Sequence, residues 1–572
     1  MPFQVSPGVN ISEIDLTHVV PNVATSIGAM VGGFQWGPVM ERTNITTEND
    51  LVKVFGKPVA VNSASQVSFH VASNYLAYSN NLYVVRVLDQ GVAKNATAGG
   101  AGKLVINRTA YEGTPATQAV SYLNETFVAR YPGVLGNSLK VHAIDSHGWS
   151  AMMADSSFTA KMNGQMNVGE TITGSISGAT GTIESRDVWV DVNTPVSVTY
   201  SVTSTAVFQV EDTILADTTG MSTSEITGVS TSPDVANELL QAKFKANFDR
   251  TPGTSTDVNN AGGSNDEMHI LVIDEDGAWT GSPGQVIETH AYVSKASDAK
   301  KIDGSSNYVR NVLLDESVYI YLGSPTALTA NSVAAGVDIG SSKSAATFKL
   351  FDSATETQTM PGGSLSGGTS GGATPEAVKC TAGQLRLGYD LYKNPEVVDV
   401  TLIIGGTSGV ANGVTAATHG AENKYIIGIC DTRKDCIALV SPMSTDNNAD
   451  ELVIASTNAG SSSYGVLDSS WKYQYDKYND AFIYCPMAGD IAGLCARTDF
   501  TNDAWWSPAG MTRGQIKNIV KLAWEPNKAD RDKMYQNNVN PLITMKGAGV
   551  LLWGDKTLQT VPSAFDRINV RR

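Results

Sequence analysis

Phosphate binding, metal ligation and nucleophilic attack are each hinted at once in this chain, and each hint lacks a part that its chemistry needs. The apolar run VDVTLIIGG leads into Gly405, Gly406 and Gly409, and Asp431 closes KYIIGICD, which reads as the next strand. A dinucleotide site needs G-x-G-x-x-G, where the second glycine lets the backbone close on a pyrophosphate. That position is Thr407 here, so the stretch reads as a structural strand–turn–helix and no nucleotide is expected. Asp274, Glu275 and Asp276 precede Gly277, but the alternating D-x-D-x-D-G order of a calcium loop is absent, which leaves a strand-end turn. Gly368–Gly372 spells G-x-S-x-G inside a Gly/Ser-rich stretch, where no strand-to-helix elbow can form. Five cysteines (Cys380, Cys430, Cys436, Cys485, Cys495) lack zinc spacing and read as buried free thiols, and the seven histidines are scattered. No catalytic residue, cofactor or metal is expected.

The residues that remain are cations. From Met511 onward there are eleven Lys and Arg against five Asp and Glu, a net of +6, while the rest of the chain carries −22 of the total −16. Gly510 precedes a segment whose Ile516, Ile519, Val520 and Ala523 recur at helical spacing. Arg513, Lys517 and Lys521 then stand at i, i+4 and i+8, which predicts one basic stripe on that helix. Asn527 caps a second helix running to about Asn537, LITM and VLLW flank a turn as a hairpin, and Ser563–Asp566 opens a third helix, AFDRINVRR. A basic terminal segment on an acidic body suggests an acidic partner. Aromatic platforms are not interleaved with the cations as in a nucleic-acid reader, so nucleic acid is not expected.

The same terminal stretch carries a resemblance. Pro508-Ala509-Gly510, Ala529 to Asp532, Tyr535, Asn540-Pro541, Thr544, Gly547, Gly549, Leu552 to Thr557 and Pro562 to Arg572 resemble the C-terminal run of tail sheath proteins from contractile-tailed bacteriophages. Asp530, Arg531, Asp532, Asp555, Lys556, Phe565, Asp566, Arg567 and Arg571 fall within this motif. The opening Pro7, Gly8, Val9, Glu13 and Asp15 match the family's P-G-V-x-x-x-E-x-D, and Phe34, Trp36, Gly37 and Pro38 its F-x-W-G-P. The resemblance covers most of 1–90, 128–145, 265–312, 385–440 and 500–572.

As a whole the chain reads as α/β (α+β) and multidomain. Residues 1–23 are an extended arm, and 24–98 with 377–504 form an α/β core. Residues 99–155 with 233–376 form a second α/β segment that has a helix near Val286–Val293 and a flexible Gly/Ser-rich linker at 325–376. Gly-punctuated alternating runs over 156–232 predict an inserted all-β domain. Residues 505–572 make a small, basic α+β C-terminal domain. At 572 residues, of which 42% are hydrophobic, the chain can bury several cores. The start MPFQVSPGVN shows no signal peptide, and no apolar run approaches a membrane span.

What the resemblance implies is mechanical. A sheath subunit forms a homo-oligomer of helical strands or stacked rings around an inner tail tube, between baseplate and tail terminator proteins. Its arms stitch neighbours by strand addition. Contraction drives the tube through the host envelope for genome ejection. The implied place is the virion tail, with assembly in the host cytoplasm, no direct nucleic-acid contact and no membrane insertion. Arg513, Lys517 and Lys521 would face the tube. The family continues its last helix and an arm past INVRR, so the C-terminal domain is apparently truncated at Arg572. Sheaths of phage-like bacteriocins or type six secretion systems share these implications. A surface adhesin or a nucleotide-binding enzyme fits the residues less well.

Overall fold

The computed structural model describes residues 26–59, 64–113, 126–152, 156–202, 208–209, 212–230, 243–324, 336–344, 347–351, 362–372, 378, 380–407 and 415–572. The arm residues Pro7, Gly8, Val9, Glu13 and Asp15 lie outside them, as does Gly409. The fold mixes helices with several sheets and gathers into two compact units, 1–89 with 371–572, and 90–370.

The first unit is built on a seven-stranded sheet. Its strands run in the order Arg42–Ile45, Leu82–Arg86, Gly28–Gly32, Leu402–Ile404, Ile437–Val440, Gly465–Asp468 and Val539–Asn540. All neighbours are parallel except Arg42–Ile45, an antiparallel edge. Strands such as GAMVG, LII and IALV are buried at every residue, which is why they read as continuous apolar runs rather than alternating ones. Phe69, Tyr75, Trp471, Leu494, Ile516 and Leu542 belong to one of the unit's two cores, and Tyr389, Ile426, Leu452 and Met534 to the other. Close approach is written into the strand Gly28–Gly32. A Cβ at Gly28 would sit 2.7 Å from the Tyr75 ring, and one at Gly32 would sit 2.5 Å from Ser68, both on the helix Ala64–Leu76. Beside that strand the buried Arg86 guanidinium donates to the carbonyls of Phe34 (2.9 Å), Gln35 (3.1 Å) and Gly37 (2.7 Å). This fixes the F-x-W-G-P loop around a cation whose desolvation is compensated by hydrogen bonds.

In the second unit the strands Gln285–Ser294, Glu267–Asp274, Leu139–Ile144 and Gly362–Ser364 form an antiparallel sheet. This unit departs from the sequence reading at two segments. Val286–Val293 is strand and not helix: Val286, Ile287 and Thr289 are β-branched, and the segment pairs along Glu267–Asp274. Residues 362–372 are not a loose linker. Gly362 and Gly363 pair with His142 and Val141, Thr369 bridges Lys94, and Leu365 and Ser370 are buried. The Asp274 carboxylate accepts from Ser138 Oγ (2.7 Å), Thr280 Oγ1 (2.9 Å) and the amides of Trp279 (3.0 Å) and Thr280 (2.8 Å), so it anchors a turn. Residues 156–230 fold into a six-stranded antiparallel sheet with its own core around Phe158, Ile183, Val198 and Tyr200. Its first and last strands, Ser156–Met162 and Thr223–Ser230, are paired neighbours.

Candidate functional site

The C-terminal segment begins by contradicting the helix expected of it. From Gly510 to Ile516 the backbone runs along the strand Gly549–Leu552. Gly510 N donates to Leu552 O (2.9 Å), Leu552 N to Gly514 O (2.8 Å) and Ile516 N to Val550 O (3.0 Å). Beyond it, Val520 N donates to Tyr473 O (2.8 Å), and Lys521–Leu522 pairs as a short strand with Trp471–Asp476. The stretch therefore joins the hairpin Leu542–Met545/Gly549–Leu552 to the hairpin Trp471–Asp476/Ala481–Pro486. Ile516 and Leu522 are buried as single anchors and not as one helical face. The signal was present in the chain: Gly510 and Gly514 within five residues disfavour helix, and a Cβ at Gly514 would meet Leu552 O at 2.5 Å.

Arg513, Lys517 and Lys521 accordingly do not form a stripe. Each sits over a different ring. Arg513 lies 5.0 Å from the Trp506 centroid and donates Nε to Ser507 O (2.7 Å). Lys517 lies 4.6 Å from the Tyr78 ring and donates Nζ to Ala77 O (2.7 Å). Lys521 lies 4.9 Å from Tyr473 and is exposed. The quadrupole of each ring favours the charge above it, so the three cations are placed by aromatic partners. Under them a buried pair, Lys472–Asp490 (2.9 Å), ties the sheet to the helix Ala488–Thr501, and burial raises the Asp490 carboxyl.

On this sheet sequence reasoning missed an aromatic face. Tyr473, Tyr475, Phe482 and Tyr484 alternate with buried Gln474, Ile483 and Cys485 and project to the outer side beside Lys521. Ring centroids are 5.2 Å apart for Tyr473–Phe482 and 4.7 Å for Tyr473–Tyr484. The alternation W-K-Y-Q-Y-D and A-F-I-Y-C was the available signal.

The motif residues nearer the end form a knot. Asp555 accepts from Arg567, from Ser507 Oγ (3.1 Å) and from Tyr535 OH (3.3 Å), and Arg567 also donates to Tyr535 OH. Lys556 Nζ donates to Tyr535 O (2.9 Å) over the same ring, while Lys556 N donates to Asn540 Oδ1 (2.7 Å). Asp530 closes the capping box of the helix Lys528–Gln536 with Asn527, and on it Arg531 is half-buried and Asp532 exposed. Asp566 N bonds Ser563 O (3.3 Å), and Arg571 stacks on Tyr464 (3.3 Å) and Phe565 (5.1 Å). A third continuous helix is not formed. Arg567 is extended between a short 3-10 turn, Ala564–Asp566, and the turn Ile568–Arg571, because Ile568 N is held by Asp555 O (2.8 Å).

The loop after the strand Leu402–Ile404 is packed within the fold. Thr407 is buried and donates Oγ1 to Val31 O (3.0 Å), and Gly406 (φ +93°) packs against Pro486. KYIIGICD is not a strand: it lies inside the helix Ala416–Arg433, and Asp431 accepts from Ser462 Oγ (2.6 Å). Thr415 caps that helix with its own side chain. Among the described residues no cluster of three or more His, Cys, Asp or Glu could hold a metal, and no helix is long and apolar enough to cross a membrane.

Residues 402–558, which include the aromatic sheet and most of the motif, match the family described as phage tail sheath protein central domain. The tail sheath protein of Enterobacteria phage T4 is 30% identical over 603 aligned residues, covering 99% of this chain and 84% of the relative. That of Vibrio phage KVP40 is 29% identical, with 99% and 84% covered. The solved sheath tail protein from Listeria innocua is similar at a TM-score of 0.43 and 11% identity over 96% of this chain and 75% of the other. With identity at this level over nearly its whole length, the chain belongs to the tail sheath proteins of contractile-tailed phages.

Proposed function

We propose that this chain polymerises with copies of itself into a sheath around an inner tail tube, bounded by baseplate and terminator proteins, and works by re-docking rather than by catalysis. The near full-length similarity to the phage T4 tail sheath protein carries this reading. Residues 156–230 stand as an independent inserted domain, and the arm residues Pro7, Gly8, Val9, Glu13 and Asp15 stitch neighbouring subunits together. Arg513, Lys517 and Lys521 meet an acidic tube surface, as three cations each carried on its own ring. Exposed ion pairs are individually weak. Repetition around a ring makes their sum large while each contact stays easy to break. Charge reversal of all three to Glu should leave the far-ultraviolet spectrum unchanged and abolish sheathing of purified tubes in negative-stain images. Wild-type sheathing should weaken with salt, since the Debye length is about 8 Å at physiological ionic strength. Sheathing by the triple variant equal to wild type at low salt removes the tube-contact assignment, and failure of the wild type to polymerise removes the whole reading.

A further inference from the structure

Cys430 lies in the last turn-and-a-half of the helix Ala416–Arg433, and Cys436 stands one residue before the strand Ile437–Val440. Lys434, in the left-handed region at φ +66°, folds the chain back between them. The fold-back brings the two sulfurs to 3.3 Å, with both side chains buried. Arg433 sits in the same turn with its side chain buried. It donates to Val398 O (3.0 Å) and to Asp435 (2.8 Å), and its guanidinium charge bears on both thiols. A fixed cation beside a thiol favours the thiolate, which is the reacting form. Burial opposes it and pushes the Cys430 thiol well above its ordinary range, so the reaction is slow near neutrality and faster in alkali. Cys380, Cys485 and Cys495 are also buried, but no second thiol contacts them among the described residues.

From the 3.3 Å sulfur contact across a tight turn, we infer that Cys430 and Cys436 are a redox modification site that closes to an intrachain disulfide under peroxide-class oxidants. One thiolate attacks the peroxide oxygen, giving a sulfenic acid and hydroxide, which takes the proton released by that thiol and leaves as water. The second thiol attacks the sulfenic sulfur, forming the S–S bond and releasing a second water. The net change is two thiols and one hydrogen peroxide giving one disulfide and two waters. The bond would tie the end of a core helix to the head of a central strand. This inference stands on sulfur geometry alone and is independent of the tube contact.

The test treats the purified full chain with hydrogen peroxide at mildly alkaline pH, blocks remaining thiols under denaturing conditions, and maps tryptic peptides without reductant. Trypsin cleaves after Arg433 and Lys434, so the two cysteines part unless they are bonded. The expected result is a linked pair lighter by two hydrogens, restored by reductant, while Cys380, Cys485 and Cys495 remain open to alkylation. Cys436→Ser should abolish the linked species and leave Cys430 free or as its sulfenic acid. Full alkylation of Cys430 and Cys436 after treatment, their conversion to sulfinic acids without linkage, or linkage to another cysteine would each overturn the assignment.

Discussion

At the scale of single residues, two buried groups give opposite responses to pH. His142, in the strand Leu139–Ile144, is held down to about 4 by burial, with Lys140 adding to it, and its Nδ1 finds no partner among the described residues. Its folded value is below the ordinary 6.5. The stability it contributes is therefore present above 6.5 and lost as pH falls toward 4, a loss of about 3 kcal/mol when complete. His142→Leu should flatten this decline in thermal unfolding scans, and an unchanged acid slope would show that other groups dominate. Asp468 behaves in the other sense. Burial, with Asp490 adding to it, raises the carboxyl to about 8 against hydrogen bonds from Ser441 and Ser470. A raised folded value means stability that is full below 3.8 and lost as pH climbs through 8. Asp468→Asn should raise the melting temperature relative to wild type on the alkaline side and leave it no higher in acid.

At the scale of elements, the cap at Asn527 was legible and the apolar runs were not. Asn527 is a side-chain cap that names its helix, Lys528–Gln536, to within a residue, because a capping box is a local device, whereas Ser563 opens only the 3-10 turn Ala564–Asp566. Buried apolar runs carry no period. Tyr425–Cys430 sits in a helix whose cap, Thr415, lies ten residues upstream. Val286–Val293, mostly half-buried or exposed, owes its strand pairing to Glu267–Asp274. The basic segment after Gly510 does not follow its apparent period: Ile516, Ile519, Val520 and Ala523 fall at helical spacing, yet Val520 is exposed and the segment's partner is a strand that follows it in sequence. The family motif was legible residue by residue, but the ring under each cation was not, since Tyr78 is distant in the chain. Two glycines make the point testable. Gly514→Ala should cost roughly 1–3 kcal/mol, because the new methyl meets backbone oxygens of Leu552 and Gly510. Gly428→Ala, in the helix Ala416–Arg433 with open space around its Cβ, should stabilise by about 0.5–1 kcal/mol. Urea midpoints measure both, and equal effects would refute this reading of the segment.

At the scale of the whole molecule, the inserted sheet starts and ends on adjacent strands, with Ser157 paired to Ser230. Replacing 156–230 by a short Gly/Ser linker should therefore leave the rest of the chain folded, with one cooperative transition lost and the others unmoved in calorimetry. Broadening of the remaining transitions would assign those strands to the surrounding core. The seven-stranded sheet has the contrary layout, because Gly28–Gly32 lies between Leu82–Arg86 and Leu402–Ile404. During synthesis the strand ending at residue 32 must wait until residue 402 has left the ribosome before its second edge is covered. At ~5–20 residues per second that delay is on the order of 20–70 s. Throughout it, a fully apolar strand has one edge open, which is the condition under which nascent chains recruit chaperones or aggregate. Ribosome-bound chains halted before residue 402 should bind holdase chaperones strongly, and chains halted after Asn540 should release them. The sheath subunit is thus a protein whose birth is slower and more exposed than its finished core would suggest.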